Sequence, residues 1–422
     1  MRRWIPVLAM TFLAFLIYEV KAFSTDLLYG IDGPYYYVQV RSILERGHML
    51  YPDPPLAFYL LTAFSPLGIT AGIKVGSILF IVLGALPTYL LVREMTNDLG
   101  GYAAAAFYLF NPWLIRMSMD LIKNAMGLTF LSFTIALAYL AVKRGDVRYA
   151  WASAVFITLT GLTHVLDFGV AILILLGLLI YTRSKELIPP LAVAAVLLTL
   201  GFTTGIMGGD PYKGVALIEQ VSSNSQPRRP PKLGNRNWVN LAYSLVLALT
   251  GMVLSLKLKG LERGVTLTTS TVLLIMNLPF IPGNFLWRFD LMTAVLAPVV
   301  VGALIGEVRD VKLALAMSLL LFGILAPMSW NQLNSIRPSV PEAELREIRE
   351  VVQRFSGRYT LVVPNPRLLY WVQTMDLDAV RRLEEAKPPA LIVADRRVPV
   401  KGNILFKGRF ITVILPTPKA GP

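Results

Sequence analysis

The stretch Thr25-Asp26-Leu27-Leu28-Tyr29-Gly30-Ile31-Asp32-Gly33-Pro34-Tyr35-Tyr36-Tyr37, followed by Tyr51-Pro52-Asp53-Pro54-Pro55-Leu56, comes directly after an apolar run that starts at Trp4. It makes residues 24–70 an acidic, aromatic connection between the first two runs long enough to cross a bilayer. Loops longer than about 12–15 residues are usually functional or disordered. This one is too apolar and aromatic for disorder. Its tyrosines suit the headgroup layer, where amphipathic rings are favoured. The expectation is an ordered loop on a membrane surface, with carboxylates in reach of a lipid head.

The rest of the chain supports a membrane setting. Its 422 residues are 55% hydrophobic and 16% charged, with a mean hydropathy of +0.59, whereas a soluble domain carries roughly 25% charged residues. Apolar runs lie at 4–22, 71–92, 101–117, 124–142, 150–166, 168–182, 188–206, 238–256, 264–281, 288–306 and 312–330. Crossing a hydrocarbon core of ~30 Å takes about 17–25 such residues, so the class is a polytopic α-helical membrane protein with about eleven transmembrane helices. Met1-Arg2-Arg3 is a charged start like that of a signal peptide, but no small-residue cleavage site follows. The first run is therefore expected to remain as a helix.

With no cysteine, disulfides, thiolate metal sites and a cysteine nucleophile are excluded. The net charge of +14 does not point to nucleic acid once its distribution is considered. Basic residues gather at Arg2-Arg3, Arg93, 143–148, 183–185, 257–263 and 307–312, all on one side if there are eleven spans. The positive-inside tendency makes that side cytoplasmic. The first loop, a second loop at 207–237 and everything after 331 then lie outside. Phosphate-loop, HExxH and Gly-x-Ser-x-Gly motifs are absent, which removes support for nucleotide, zinc-protease and serine-hydrolase chemistry.

Two domains are expected, a membrane domain over 1–331 and a small extracytoplasmic α/β domain over 332–422. In the second, Pro341 opens an amphipathic helix to Phe355. Strands are expected at 358–363, 390–395 and 410–415, with a helical stretch at 376–386. The 207–237 loop, with Gly208-Gly209-Asp210-Pro211 and Gln226-Pro227-Arg228-Arg229-Pro230-Pro231-Lys232, is a flap or a plain linker.

In the first loop, Pro34 suits the first turn of a helix. A 3.6-residue period gathers Tyr36, Tyr37, Val40, Ile43 and Leu44 on one face and leaves Gln39, Arg41, Ser42, Glu45 and Arg46 opposite, the pattern of a helix lying on the membrane surface. Asp32 stands where this helix begins and Asp53 before Pro54, and both positions also suit a simple helix-start carboxylate. Asp26 ends the preceding span. Arg116, Asp120 and Lys123 cluster in a second short outer connection, as an anion site or as an ordinary helical ion pair. Arg288 starts a span beside Trp287 and serves either to bind an anion or to snorkel. His164 and Asp167 mark the turn between two further spans, and one histidine is not a metal site.

This layout resembles the GT-C superfamily of membrane glycosyltransferases, which includes protein O-mannosyltransferases, the lipid A aminoarabinose transferase and the catalytic subunit of oligosaccharyltransferase. The matching features are Ile31-Asp32-Gly33-Pro34-Tyr35-Tyr36 early in a long first loop, surface helices after it, Asp120 among cations in the second loop, and a trailing soluble domain. The first loop lacks the Asp-x-Asp or Asp-Glu pair of the family. The resemblance implies a multi-pass cell-membrane enzyme, with its N-terminus cytoplasmic and its site extracytoplasmic. It would move a sugar, with inversion, from a polyprenyl-phosphate donor of the dolichyl-phosphate type to an acceptor hydroxyl on a protein, lipid or glycan. Asp32 is implied as the catalytic base. Tyr35, Tyr36, Asp53, Arg116, Asp120, Lys123, His164 and Arg288 are candidates for binding substrate. A divalent cation (Mg or Mn) would fall to Asp32 and Asp120. Membrane lipids are expected partners and nucleic acid is not. The alternatives are a transporter or flippase of an anionic lipid or solute, against which stand rim-placed charges and the lack of an internal repeat, and a non-catalytic anchor for the trailing domain.

Overall fold

The structure, a computed structural model, describes residues 2–209, 212, 238–278, 281, 283–398 and 402–416. In chain order its helices are α1 (Ile5–Ala22), α2 (Asp32–Arg46), α3 (Leu56–Thr62), α4 (Ile69–Leu83), α5 (Ala85–Met95), α6 (Asp98–Leu109), α7 (Pro112–Met119), α8 (Ile122–Arg144), α9 (Val147–Thr163), α10 (Val165–Thr182), α11 (Ile188–Thr204), α12 (Trp238–Ser255), α13 (Gly260–Met276), α14 (Gly283–Gly306), α15 (Val311–Ser335), α16 (Glu342–Phe355) and α17 (Pro366–Gln373). The strands are β1 (Thr360–Val362), β2 (Ala390–Asp395), β3 (Asn403–Lys407) and β4 (Ile411–Leu415). The chain divides into two units, one of Met1–Ser24, Pro52–Leu60 and Lys74–Ser335, the other of Thr25–Tyr51, Leu61–Ile73 and Ile336–Pro422.

The first unit is the helical body. Among the described residues, seven stretches are long and apolar enough to cross a membrane: Arg2–Ala22, Ile69–Met95, Ile122–Arg144, Val165–Thr182, Lys185–Thr204, Trp287–Gly306 and Val311–Ser335. Helix α8 and the Trp287–Gly306 stretch of α14 are largely buried, whereas α1, α11 and α15 present Leu8, Phe12, Val196 and Leu319 outward. Helices that are apolar all round belong in such interiors.

Two of the expected spans are broken, and both breaks have a cause. The run expected at 71–92 divides at Gly84 into α4 and α5. A side chain there would place its Cβ 2.1 Å from Tyr108 Oη. That hydroxyl instead donates to the Ile81 carbonyl at 3.1 Å, and Thr129 Oγ1 donates to the Phe80 carbonyl at 2.9 Å. The run expected at 101–117 divides at Asn111-Pro112 into α6 and α7, because Pro112 has no N–H to give and Asn111 caps α7 by accepting from Trp113 N at 3.0 Å. The carbonyls freed at Leu109 and Phe110 are taken by the hydroxyls of Tyr18 and Ser329. Backbone polar groups within an apolar body must be satisfied internally, and side-chain hydroxyls do so here.

Helices α6 and α14 approach closely through glycine. A Cβ on Gly302 would lie 2.6 Å from Ala104 Cβ and 2.7 Å from the Gly100 carbonyl oxygen. Small residues at such a crossing let backbones meet where packing rather than water drives association.

The basic connections do share one end of this unit. Lys143 and Arg144 surround the Glu94 carboxylate at 3.3 and 3.9 Å, and Tyr139 Oη donates to Glu262 at 2.9 Å. Arg3 and Arg93 meet Asp98 at 3.4 and 2.8 Å, and Asn97 Nδ2 donates to the Gly306 carbonyl at 2.7 Å.

The second unit is built on a four-stranded sheet in the order β1-β2-β4-β3, with β1 parallel to β2 and the other pairs antiparallel. Its core includes Ile348, Val351, Leu361, Leu368, Val393 and Val413. The helix expected at Pro341–Phe355 is α16. The helix expected at 376–386 is instead α17, some ten residues earlier, where Asn365 accepts from Arg367 N at 3.0 Å and Pro366 takes the first turn. Backbone at 376–386 is used differently: Val380 N donates to Leu361 O at 2.9 Å and Val363 N to Val380 O at 2.8 Å, an isolated bridge to β1, and helical backbone is confined to a short 3-10 turn at Leu383–Glu385. Strand β3, a bulged edge strand, was not expected.

Helix α2 belongs to this second unit. Arg41 Nη1 donates to the Thr374 carbonyl at 2.8 Å and Arg46 Nη2 to Asp378 at 2.9 Å. The face buried on α2 differs from the expected one. Gln39 and Ser42, assigned to the polar side, are fully buried, and Leu44, assigned to the apolar side, is 49% exposed. The reason is the backbone of 48–51, which has no secondary structure to satisfy it. Gln39 accepts from Leu50 N and Tyr51 N at 2.9 and 3.0 Å and donates to Tyr51 O at 2.9 Å, while Ser42 donates to His48 O at 2.9 Å.

The flap or linker expected at 207–237 lies outside the described residues except for 207–209 and Tyr212.

Candidate functional site

The end of the helical unit away from Glu94 and Asp98 gathers several of the candidate residues. Lys123 stands in the first turn of α8, and its Nζ meets Asp53 Oδ1 at 2.5 Å, with the two side chains 18% and 10% exposed. Prolines on both sides hold Asp53 in place. Gly208 presses on the same spot: its φ is +60°, and a Cβ there would lie 2.6 Å from the Pro52 carbonyl oxygen and 2.9 Å from Asp53 N. A nearly dry ion pair of this kind costs both partners their water, so it contributes less to stability than its short distance suggests. Its value is positional, since it sets an ammonium and a carboxylate at a fixed point on α8.

Arg116 and Asp120 belong to α7 and its C-terminal cap. Arg116 Nε lies 4.0 Å from Asp120 Oδ2, with Arg116 41% exposed. A pair so loose and open contributes little, within the range of about 0–1 kcal/mol for exposed ion pairs. Arg288 opens the apolar part of α14, at the opposite end of that helix from Gly306, and its guanidinium lies 5.1 Å from the Trp287 ring centroid. A cation over an indole face is attracted by the ring quadrupole.

His164 is not a lone polar residue. It ends α9 and opens α10 in extended backbone, φ −155° and ψ 123°. Its Nδ1 lies 3.2 Å from Oδ2 of Asp167, a carboxylate with no exposed surface. The space for that carboxylate is Gly127 of α8, where a Cβ would lie 2.0 Å from Asp167 Oδ2 and 3.1 Å from His164 Cβ. The sequence placed Asp167 near this turn without assigning it a role. A three-residue separation across a helix start was the only available sign, and the decisive neighbour, Gly127, carries no functional group.

Asp32, Tyr35 and Tyr36 belong to the second unit. Asp32 is the first residue of α2 and is partly buried. The residue before that turn, Gly30, has φ +67°, and its N–H donates to the Arg337 carbonyl at 3.0 Å, which pins the start of α2 to the segment leading into the sheet. Tyr35 lies among aromatic rings, 5.9 Å from Tyr51 and 5.1 Å from Tyr370 between centroids, and its hydroxyl accepts from Gln39 Nε2 at 2.9 Å. Tyr36 is buried at 1% exposure. Burial holds the Tyr51 phenol above its usual pKa, the opposing influence being the hydrogen bond to Gln373 at 2.8 Å.

Two ionisable residues of the helical unit were missed because each reads as a single polar residue at a span end. Lys74 is 5% exposed with its Nζ 5.3 Å from the Phe23 ring centroid, and both carboxylate oxygens of Glu19 are buried without a hydrogen-bond partner. Among the described residues, no three His, Asp or Glu side chains come together as a metal-binding set.

Comparison with known proteins agrees with the architecture. Residues 52–204 match the sequence profile of the dolichyl-phosphate-mannose-protein mannosyltransferase family. Among solved structures, the chain is similar to the archaeal oligosaccharyltransferase AglB from Archaeoglobus fulgidus in complex with an inhibitory peptide and a dolichol-phosphate, with TM-score 0.62 and 13% identity over 92% of this chain and 69% of that one. It is similar to the apo form of the Archaeoglobus fulgidus oligosaccharyltransferase at TM-score 0.60 and 14% identity, again over 92% and 69% of the two chains. The same enzyme tethered to an acceptor peptide containing the NVT sequon gives TM-score 0.60 and 14% identity over the same shares. A search of curated proteins by sequence finds no match. The likeness to these structures is one of fold, and the profile match covers residues 52–204 of the helical unit. It is a multi-pass membrane protein with a small C-terminal sheet domain.

Proposed function

We propose that this protein is a GT-C glycosyltransferase that takes a sugar from a polyprenyl-phosphate donor and delivers it, with inversion at the anomeric carbon, to an acceptor hydroxyl at the outer membrane surface. One observation carries this reading. The segment that matches the mannosyltransferase profile, 52–204, is the one that sets Asp53, Lys123, Asp120 and Arg116 at the end of the helical unit away from the basic connections. The solved relatives with the same fold hold a dolichol-phosphate in one case and an acceptor peptide in another.

The chemistry asks for two things. The acceptor hydroxyl must give up a proton as it attacks, and a positioned carboxylate contributes roughly 10²–10⁴-fold as general base. Asp32, at the start of α2, takes that role. The departing prenyl phosphate gathers negative charge, which cations placed beforehand stabilise. Lys123, Arg116 and Arg288 supply them. Asp53 orients Lys123, Asp120 stands near Arg116, and Tyr35 offers a ring face to the sugar. With the basic connections cytoplasmic, Lys123, Arg116, Asp120 and Asp53 lie outside the cell.

The test is transfer of labelled sugar from a polyprenyl-phosphate donor by the full chain in vesicles. The wild type should transfer, and Asp32→Asn should lose at least 10²-fold in kcat. Full activity in Asp32→Asn would remove that carboxylate from the role of base. Translocation of lipid without any sugar transfer would replace the whole reading with a flippase.

A further inference from the structure

Resting on the lipid-phosphate transferase reading, we infer that His164, oriented by the buried Asp167, is the general acid that protonates the departing phosphate. The starting point is a carboxylate in an unusual position. Asp167 has no exposed surface, and neither of its oxygens has a hydrogen-bond partner of good geometry. Its nearest titratable neighbour is His164 Nδ1 at 3.2 Å. A buried, unneutralised carboxylate is costly, and such groups persist where a positive charge faces them.

The body of the protein makes room for this arrangement. Position 127 on the central helix α8 admits no side chain, because a Cβ would overlap Asp167 Oδ2 at 2.0 Å. Gly127 is one turn beyond Lys123 on the same stripe of α8, and Lys123 lies within electrostatic range of Asp167. Lys123 in turn holds Asp53 at 2.5 Å.

The titratable groups around His164 can be named. Asp167 faces it from α10. Lys123 stands one turn away on α8, with Asp53 of the first connection bound to it. Tyr108 of α6 lies within electrostatic range of Asp167, but its hydroxyl donates away, to the Ile81 carbonyl at 3.1 Å. Asn124, a neutral neighbour one residue on from Lys123, leaves its Oδ1 buried and unpartnered. Two carboxylates, one ammonium and one imidazole sum to zero charge when the imidazole is protonated. The Asp167 carboxylate stands beside Nδ1 at 3.2 Å, which leaves Nε2 as the proton donor.

The match to the leaving group is chemical. As the bond between the anomeric carbon and the phosphate oxygen breaks, the electron pair stays on that oxygen and a phosphate monoester forms, with a second pKa near ~6. Imidazole titrates near ~6.5, and proton transfer is most effective between groups matched to each other and to the working pH. The Nε2 proton passes to the phosphate oxygen, the acceptor's hydroxyl proton passes to the base, and water reprotonates the imidazole. Asp167 does not touch the substrate and is a positioning residue.

The experiment is the pH profile of kcat/KM for sugar transfer from a polyprenyl-phosphate donor, using the full chain in vesicles. The wild type should lose tenfold per pH unit on the alkaline side, with the break set by His164. His164→Gln should fall about 10²-fold and lose that alkaline limb. Asp167→Asn keeps the imidazole but removes the anion that stabilises its charge, so the limb should move about one pH unit lower. Gly127→Ala, which displaces the carboxylate, should shift it in the same direction. His164→Gln within threefold of the wild type, or keeping the limb, overturns the inference. If that variant does not fold, unshifted limbs in both Asp167→Asn and Gly127→Ala overturn it. No transfer by the wild type at any pH would instead sink the transferase reading, and this inference with it.

Discussion

Gln39→Leu tests how the first connection is held together. Gln39 is fully buried on α2 and makes four hydrogen bonds: it accepts from Leu50 N and Tyr51 N and donates to Tyr51 O and Tyr35 Oη, all at 2.9–3.0 Å. Leucine fills about the same volume and makes none of them. Two backbone N–H groups and one carbonyl are then orphaned, each costing about 1–3 kcal/mol if it stays buried. The segment avoids the full sum by opening to water, so about 3 kcal/mol of local stability is lost, which is roughly 10²-fold in the opening equilibrium. Hydrogen exchange at the amides of Leu50 and Tyr51 should accelerate by that factor, while β2 and β4 exchange as before. Gln39→Glu keeps the acceptor and loses the donors, so it should fall between. Ser42→Ala removes one bond, to His48 O at 2.9 Å, and should show about a tenth of the effect. Protection at Leu50 and Tyr51 within threefold of the wild type in Gln39→Leu would refute the claim that this side chain organises the connection.

Further expectations concern other parts of the molecule. Gly302→Ala puts a methyl 2.6 Å from Ala104 Cβ, so overpacking should cost about 1–3 kcal/mol and lower the thermal midpoint of the helical unit. Glu344→Gln breaks the bidentate pair to Arg367 at 2.6 and 3.0 Å, and with Arg367 still 25% exposed the loss should be about 2 kcal/mol, read as earlier denaturant unfolding of the sheet unit. Because burial raises the Tyr51 pKa, its contribution to stability is complete below the unfolded phenol value of ~10 and disappears as pH rises through the folded value. Tyr51→Phe should flatten that alkaline loss, followed by circular dichroism between neutral pH and strongly alkaline pH.

Much of the fold was legible in the chain because its signals are local. An apolar run near ~20 residues crosses a bilayer whatever its neighbours do, and the runs were placed at nearly every long helix observed. Asn111-Pro112 is a local signal too, and it broke a run that hydropathy alone joins. The break at Gly84 depends on Tyr108, which sits on a different helix, and no local pattern announces it. The face of α2 was misplaced because period and polarity were weighed without the needs of the 48–51 backbone. The helix sought at 376–386 fails for a similar reason, since that backbone pairs with β1 through Val380.

The site divides in the same way. Asp32, Asp53, Lys123, Arg116 and His164 could be picked out one by one, as charged residues beside apolar runs. Their partnerships could not. The contact of Asp53 with Lys123 spans 70 residues of sequence, and the seat of the Asp167 carboxylate is a glycine on another helix.

The amino-acid order alone determined that this is a membrane-spanning chain with its basic connections on one side, because hydrocarbon thickness and the cost of desolvating charge act on each segment separately. Tertiary structure decided which polar groups meet, which helices break and which face of α2 is buried. Those outcomes come from close packing and from the demand that every buried donor and acceptor find a partner, and both depend on residues far apart in the chain.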